Sequence, residues 1–413
     1  MRLDSHNCSP AILGKILRAA ARAGSFREAA ESVADLAEVA ISDRQVGRIA
    51  HDVGEQLRQA RDQQVNDFQR RRLVPRTTVA PKLAVVSVDG GRFQTRTEGQ
   101  GPGVHDPAWR EDKVADLVTM STRSPDQDPH PEVPRCFTQK EAVVELVQGI
   151  TSHGALADVI DPTAEEAVPL TVVAPAEHLP EPSWPPEPLV RTCQATTDPS
   201  EAFGPMVAAE AQRRHFFAAE RRAFLGDGGP WIWTIHRVSF PTFEPIVDFV
   251  HVLTYVSLAA KALGGSAGAV WGRYLGWATA CWQGRVADVL AELRCALEGM
   301  TPPAESREEK PTDPYHVVSK TIGYLEKNQL RMDYPCYRRQ GLPIISGLVE
   351  SLIKQFNRRV KGTEKFWNET QAETILQLRA AQLSEDDRLA EHLKTRPISP
   401  FRRYKATKRR KAG

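Results

Sequence analysis

The sequence has no run of about 18 apolar residues, the length that a membrane-spanning helix needs. Its N-terminus, MRLDSHNCSP, has no apolar segment after a basic start, so no signal peptide is predicted. The six cysteines are scattered and form no Cys-x-x-Cys pair, which argues against a structural zinc site and favours reduced thiols. These absences predict a cytoplasmic protein with no membrane partner.

Net charge is also small. At +2, it indicates that the body of the chain is not a general binder of polyanions. The basic residues are concentrated at the end, where residues 396–413 contain no acidic side chain. Such a run is typical of a disordered tail that contacts nucleic acid. Its candidate DNA contacts include Arg402, Arg403, Lys408, Arg409 and Arg410.

The first 63 residues are predicted to form three short amphipathic helices. Ser25 with Glu28, and Ser42 with Gln45, form capping boxes for the second and third of them. A helix, a brief turn and a capped helix outline a helix-turn-helix, although three packed helices without DNA contact fit the same pattern. On the DNA-binding interpretation, the outer face of the third helix presents Arg44, Gln45, Arg48 and His51.

Two apolar runs further along the chain are each followed by Asp-Gly-Gly. Residues 83–88 form a buried-strand pattern that ends before Asp89, and FLGDGGPWIW (224–233) places Asp227 in the same position. Asp-Gly is a common turn signal, so each aspartate could simply end a strand. Two carboxylates at strand ends also suit a site in which Mg²⁺ or Mn²⁺ ions roughly 3.5–4 Å apart hold a phosphodiester. On that interpretation the glycines let a DNA backbone come close.

A third acid occurs in GLPIISGLVESLIKQFNRRVKG (341–362). An apolar stripe predicts an amphipathic helix here, with Glu350 among cations on its polar face. An ordinary Glu–Lys surface pair would give the same pattern. The polar face is predicted to hold Glu350, Lys354, Asn357, Arg358 and Lys361, of which the three cations are candidate DNA contacts.

Four blocks of the chain, in order, resemble those of ISKra-type insertion-sequence transposases, which are bacterial DDE transposases related to the Mutator-like group. The blocks are SVDGGR (87–92), GDGGPWIW (226–233), FPTFEPIVDFVHVLTY (240–255) and LPIISGLVESLIKQFNRRVKG (342–362). The resemblance implies that Asp89, Asp227 and Glu350 are the catalytic, metal-binding triad of a ribonuclease H-like fold. It also implies that this triad binds two Mg²⁺ ions, or Mn²⁺ instead of Mg²⁺. Asp248 and His251 match a short Asp-x-x-His element, for which structural support is favoured over direct metal ligation.

The resulting fold prediction is α/β, with a ribonuclease H-like core that is interrupted by a mainly helical insertion and preceded by an all-α helix-turn-helix region. The gap between Asp227 and Glu350 is too long for one strand-to-helix connection, and residues 258–297 are helical in pattern and rich in tryptophan and alanine. Trp231 and Trp233 are expected to pack rather than to stack on bases. The predicted segments are helix-turn-helix 1–63, basic linker 64–81, core 82–251, helical insertion 252–341, second part of the core 342–395 and basic tail 396–413.

The function implied by the resemblance is DNA transposition, in which the DNA is cut at terminal inverted repeats and the freed 3′-hydroxyl is joined to target DNA. The expected partner is double-stranded DNA, with a homo-oligomer as the active complex, in the bacterial cytoplasm and at the nucleoid when bound. Two alternatives stay open. They are a ribonuclease H-like nuclease without strand transfer and a domesticated DNA-binding protein whose acids no longer bind metal.

Overall fold

The computed structural model describes residues 4–96, 108–151, 185–302, 312–362 and 365–396, with the side chains of residues 149–151, 348 and 350 excepted. The basic tail, with Arg402, Arg403, Lys408, Arg409 and Arg410, lies outside these ranges. Within them, no helix is long and apolar enough to cross a membrane.

A five-stranded mixed sheet forms the centre of the fold, in the order β3-β2-β1-β4-β5. The antiparallel part joins β1 to β2 and β2 to β3, and the parallel part joins β1 to β4 and β4 to β5. The predicted α/β class is therefore confirmed. The strands are β1 (Leu83–Thr95), β2 (Ala108–Ser121), β3 (Glu187–Thr196), β4 (Arg221–Gly226) and β5 (Glu244–Val247).

Two hydrophobic cores cover the sheet. On one face, Val86, Val88 and Leu117 pack in a core with the helices that follow β3, β4 and β5. On the other, Phe93, Val114 and Cys193 pack with the N-terminal and C-terminal helices. The first half of β1 is buried on both sides, which explains its nearly continuous apolar sequence.

The N-terminal helices are α1 (Pro10–Arg22), α2 (Phe26–Ala37) and α3 (Asp43–Gln69). Both predicted caps form, since Ser25 Oγ accepts from Glu28 N at 3.1 Å and Ser42 Oγ accepts from Gln45 N at 3.2 Å. Residues 64–69, predicted to begin the linker, continue α3 instead. The three helices share the second core with the C-terminal helices, so they are held against the rest of the protein.

Helices fill the region predicted as an insertion. The chain from Phe249 to Arg339 contains five α-helices and no strand among its described residues. They are α7 (Phe249–Ala262), α8 (Ala267–Trp282), α9 (Val286–Glu298), α10 (Pro314–Asn328) and α11 (Tyr334–Arg339). The remaining α-helices are α4 (Lys140–Thr151), α5 (Ser200–Arg213), α6 (Pro230–Ser239), α12 (Gly347–Val360), α13 (Glu369–Leu383) and α14 (Arg388–Thr395).

Several boundaries differ from the sequence prediction. β1 does not end at Asp89, because it keeps pairing with β2 as far as Thr95. Residues 201–222 have a continuous helical pattern in the sequence, but α5 ends at Arg213 and the chain enters β4 at Arg221. Strands β3 and β5 were not recognised, since proline stands next to the apolar residues in both and weakens the strand pattern.

The buried carboxyl of Asp116 on β2 provides a test of this packing. Asp116 is fully buried and neither carboxyl oxygen has a hydrogen-bond partner among the described residues. Burial raises the pKa of Asp116 to about 7, with Glu385 adding to the rise and Arg191 and Arg214 opposing it. The folded protein therefore holds this proton more tightly than the unfolded chain, in which an aspartate titrates near pH 3.9. Its stabilising effect is complete below that pH and is lost as the pH rises through about 7.

We expect the substitution Asp116→Asn to remove this loss of stability at higher pH. Between pH 5 and pH 8 the free energy of unfolding of the wild-type protein should fall, relative to that of the variant, by about 2 kcal/mol. Urea unfolding of both proteins at the two pH values measures the difference. A difference between the two proteins that does not change with pH would contradict the prediction.

Candidate metal centre

Three aspartates stand in one row at the carboxyl edge of the parallel strands. Val88 of β1 pairs with Gly226 of β4, and Gly226 pairs with Val247 of β5. The residue that follows each of these three along the chain is an aspartate, namely Asp89, Asp227 and Asp248. Because paired strands lie about 4.8 Å apart, this register places the three residues side by side.

Asp89 lies where β1 stops pairing with β4 but continues to pair with β2. Parallel pairing with β4 ends at Val88, whereas antiparallel pairing with β2 continues, with Asp89 opposite Val114. The backbone N–H of Gly90 donates to Asp89 Oδ1 at 2.6 Å. The side chain is partly exposed, at the point where the sheet narrows.

Asp227 begins a tight connection between β4 and α6. Gly229 N donates to Asp227 Oδ1 at 2.7 Å, and the Tyr324 hydroxyl donates to the Asp227 carbonyl at 2.9 Å. Gly228 has φ +102°, a backbone conformation that favours glycine. Asp227 is therefore a turn residue in local geometry, and the same turn holds its carboxylate at the edge of the sheet beside Asp89.

The glycines next to the two aspartates lie against other parts of the protein. A Cβ added to Gly90 would lie 3.1 Å from Glu111 Oε1 and 3.6 Å from the Trp231 ring. One added to Gly91 would lie 2.6 Å from an Asp112 oxygen, and one added to Gly228 would lie 2.5 Å from Tyr324. Side chains of the protein itself occupy these positions.

Both tryptophans after Asp227 take part in packing, as predicted. Trp233 is buried and donates from Nε1 to Asn328 Oδ1 at 2.9 Å. Trp231 is half-buried, and it also lies 3.6 Å from the position of a Cβ on Gly229. The Trp231 ring thus lies against Gly90, which follows Asp89, and against Gly229, which lies two residues after Asp227.

Asp248 is buried, and hydrogen bonds within the protein occupy both of its carboxylate oxygens. It caps α7, with Oδ1 accepting from Val250 N at 2.6 Å. Its Oδ2 accepts from Ser346 N at 2.5 Å and also from the Ser346 hydroxyl. Nδ1 of His251 lies 3.9 Å from Oδ1, which is an ion-pair distance and too long for a direct hydrogen bond.

The charges of this group are coupled. Burial alone would lower the pKa of His251, but Asp248, followed by Asp227 and Asp89, raises it to about 10. Burial would likewise raise the pKa of Asp248, but His251 and the Ser346 donors lower it. His251 is therefore an imidazolium at neutral pH, and it offsets part of the repulsion among the three aspartates.

Ser346 brings the start of α12 to this edge of the sheet. It directly precedes α12, so its bonds to Asp248 fix the position from which the helix starts. The helix then packs against β1 and β2, with Leu352 and Phe356 buried. The backbone of Glu350 lies in its first turn, while the Glu350 side chain is outside the described part. Sequence reasoning missed Ser346, for which the only signal was a serine just before a predicted helix.

The described side chains include no group of three or more His, Cys, Asp or Glu residues in a metal-binding arrangement. That set does not contain the Glu350 side chain. Asp89 and Asp227 are described, and each uses Oδ1 to accept a backbone N–H of its own segment.

The predicted polar face of α12 is partly correct. Lys354 and Arg358 are exposed and Lys361 is half-buried, so they form a cationic strip along the helix. Asn357, predicted on the same face, is instead buried. Arg359 is also buried, where Nε donates to the Ala20 carbonyl at 2.8 Å and the guanidinium stacks on Phe26.

On α3, Arg44 and Arg48 are exposed and Gln45 is half-buried. His51, predicted to point outward, turns towards α13 instead. Its Nδ1 lies 2.7 Å from the Thr374 hydroxyl, and its ring packs edge-on against Phe26. Burial lowers the pKa of His51 to about 4, with Arg359 adding to the effect, so the ring is neutral and unsuited to phosphate binding.

Comparison of the chain with protein-family models finds no match, and comparison with curated proteins finds none either.

Asp248 and Asp227 are expected to respond differently to the same substitution. Asp248→Asn leaves the buried His251 without its ionic partner and should lower the free energy of unfolding by about 3 kcal/mol. Asp227→Asn, the matched control, weakens one bond in a partly exposed turn and should cost under about 1 kcal/mol. Urea unfolding at pH 7 measures both. Equal losses would contradict the structural role given to Asp248.

Proposed function

We propose that the protein is a DNA transposase that cuts DNA at the ends of a bacterial insertion sequence and joins the freed 3′-hydroxyl to target DNA. The observation that carries this proposal is the register of β1, β4 and β5. It sets Asp89 and Asp227 side by side at one edge of the sheet, and Ser346 brings the helix of Glu350 to the same edge. Catalytic acids gathered from distant parts of the chain are what the resemblance to DDE transposases implies.

The proposed fold is a ribonuclease H-like core with a helical insertion. Three antiparallel strands extended by two parallel ones support this assignment, as do the five helices between β5 and α12. The proposed acids come from both sides of those helices, and the bonds of Ser346 to Asp248 support their meeting at one edge of the sheet.

The residues present fit a divalent metal ion in their donor chemistry. Carboxylate oxygens are the ligands that Mg²⁺ and Mn²⁺ prefer, and Asp89, Asp227 and Glu350 would hold the ions. When bound, two such ions activate a water or a 3′-hydroxyl and neutralise charge on the phosphate. No cysteine, serine or tyrosine nucleophile is assigned.

The chain itself contributes positioning and charge. Backbone N–H groups of Gly90 and Gly229 orient one oxygen of Asp89 and of Asp227. The imidazolium of His251 lowers the cost of bringing several carboxylates together before an ion binds. Preorganised groups of this kind stabilise developing charge without having to rearrange during the reaction.

The proposed partners are the terminal inverted repeats and target DNA, with a homo-oligomer as the active complex. Exposed Arg44 and Arg48 of α3 support a DNA contact at the N-terminal helices. The exposed Lys354 and Arg358 support a second contact along α12, next to the carboxylates. Basic side chains of this kind bind DNA phosphates through electrostatic attraction and counterion release.

Removing the carboxylate charges should abolish the reaction without unfolding the protein. Asp89→Asn, Asp227→Asn and Glu350→Gln are each expected to reduce Mg²⁺-dependent cleavage of an element-end DNA by about 10³-fold or more, and combining them should add little. Cleavage and joining of a labelled donor end measure the effect, with circular dichroism to check folding.

Glu369→Gln is the matched control, because Glu369 lies in the first turn of the neighbouring helix α13 and is exposed. It should react at the wild-type rate. A folded Glu350→Gln variant that cuts and joins normally would contradict the proposed site. Wild-type cleavage without joining would indicate a nuclease instead.

Specific recognition is expected from α3. Arg48→Ala should weaken binding to the inverted repeat by about 1–3 kcal/mol if Arg48 contacts a base, and should affect scrambled DNA less. Arg27→Ala on α2, which removes another exposed arginine, is the control. Fluorescence anisotropy at fixed salt compares the variants. Equal effects of both substitutions on both DNAs would show that α3 does not read sequence.

A further inference from the structure

A carboxylate next to the row of aspartates receives no hydrogen bond from any other described residue. Asp112 on β2 is fully buried, and neither of its oxygens has a hydrogen-bond partner among the described residues. A buried carboxylate without donors is unfavourable unless it is protonated or compensated by a positive charge. Sequence analysis gave no reason to single this residue out.

Asp112 lies on the same face of the sheet as Asp89. In the antiparallel register Asp89 is opposite Val114 and Gly91 is opposite Asp112, so the two aspartates are diagonal neighbours. Such neighbours are roughly 7–8 Å apart. Two carboxylates can span that separation through one cation, since each binds Mg²⁺ at about 2.0–2.1 Å.

The absence of a side chain at Gly91 makes room for this carboxylate. A Cβ at Gly91 would stand 2.6 Å from Asp112 Oδ1 and 3.1 Å from Oδ2, closer than atoms pack. The Asp112 carboxylate therefore lies over β1, the strand that contains Asp89, and not over β3.

No side chain in the described part of the chain supplies the missing donor. The ammonium of Lys113 donates to Glu111 Oε2 at 3.1 Å, and Lys361 acts on Asp112 only through its charge. Asn357 of α12, the helix that packs over β1 and β2, is also buried, and its Oδ1 has no hydrogen-bond partner among the described residues. A buried carboxylate that no other described residue serves as a donor has the chemistry of a ligand for a hard cation.

We propose that Asp112 joins Asp89 as a ligand of a hard divalent cation, so that the acidic site contains four carboxylates rather than three. The inference rests on the proposed placement of Asp89 in the metal site. It adds a ligand from β2 to acids that come from β1, β4 and α12.

Binding of Mn²⁺ to the full-length protein, measured by isothermal titration calorimetry, tests the inference without any reaction. Asp112→Asn should weaken Mn²⁺ binding by about tenfold. Asp116→Asn is the matched control, because Asp116 is on the same strand and face and is equally buried without a hydrogen-bond partner, but it stands opposite Ser87, on the other side of Val114 from Asp112. It should bind Mn²⁺ as the wild-type protein does.

A second variant keeps every carboxylate. Gly91→Ala places a methyl group where Asp112 lies and should also weaken Mn²⁺ binding, while circular dichroism checks that each variant folds. Wild-type affinity in Asp112→Asn, with binding lost in Asp89→Asn, would overturn the inference and leave the proposed function intact. Wild-type affinity in Asp89→Asn as well would overturn both.

Discussion

The hydrogen bonds from Ser346 to Asp248 are the contact on which the arrangement of the site depends. Asp248 directly follows β5 and caps α7, while Ser346 precedes α12, so one buried carboxylate joins the sheet, the start of the helical region and the helix of Glu350. The two residues are far apart in sequence, with five helices between them. Without this link, nothing in the local sequence would direct α12 to the edge that holds Asp89 and Asp227.

Burial makes this link costly to break. Asp248 is fully buried, with hydrogen bonds to both of its oxygens and a cationic His251 beside it. A buried charge of this kind is tolerated only when its partners are in place. Asp248 is therefore held in a buried network that joins the end of β5 to α7 and to the start of α12.

The second core attaches the N-terminal helices to the same framework. Arg359 of α12 donates to the Ala20 carbonyl and stacks on Phe26, and Gly54 of α3 lies so close to Thr374 of α13 that a Cβ would meet its carbonyl at 2.2 Å. The proposed DNA-reading helix and the Glu350 helix thus pack into one core. A DNA end held by α3 would be presented to the site by a fixed structure rather than by a flexible connection.

Local patterns in the sequence were enough to predict the capped helices at Ser25 and Ser42, the buried strand before Asp89 and the helical character of residues 258–297, because caps and periodicity act over a few residues. Tertiary structure alone decided the rest. It turned His51 inward against Thr374 and buried Asn357. It also placed the side chains of Trp231, Asp112 and Tyr324 against the glycines, and left the Asp112 carboxylate without a hydrogen-bond donor from another described residue. These features depend on strand register and on which helix covers which face, and both are set by contacts between residues that are distant in the chain.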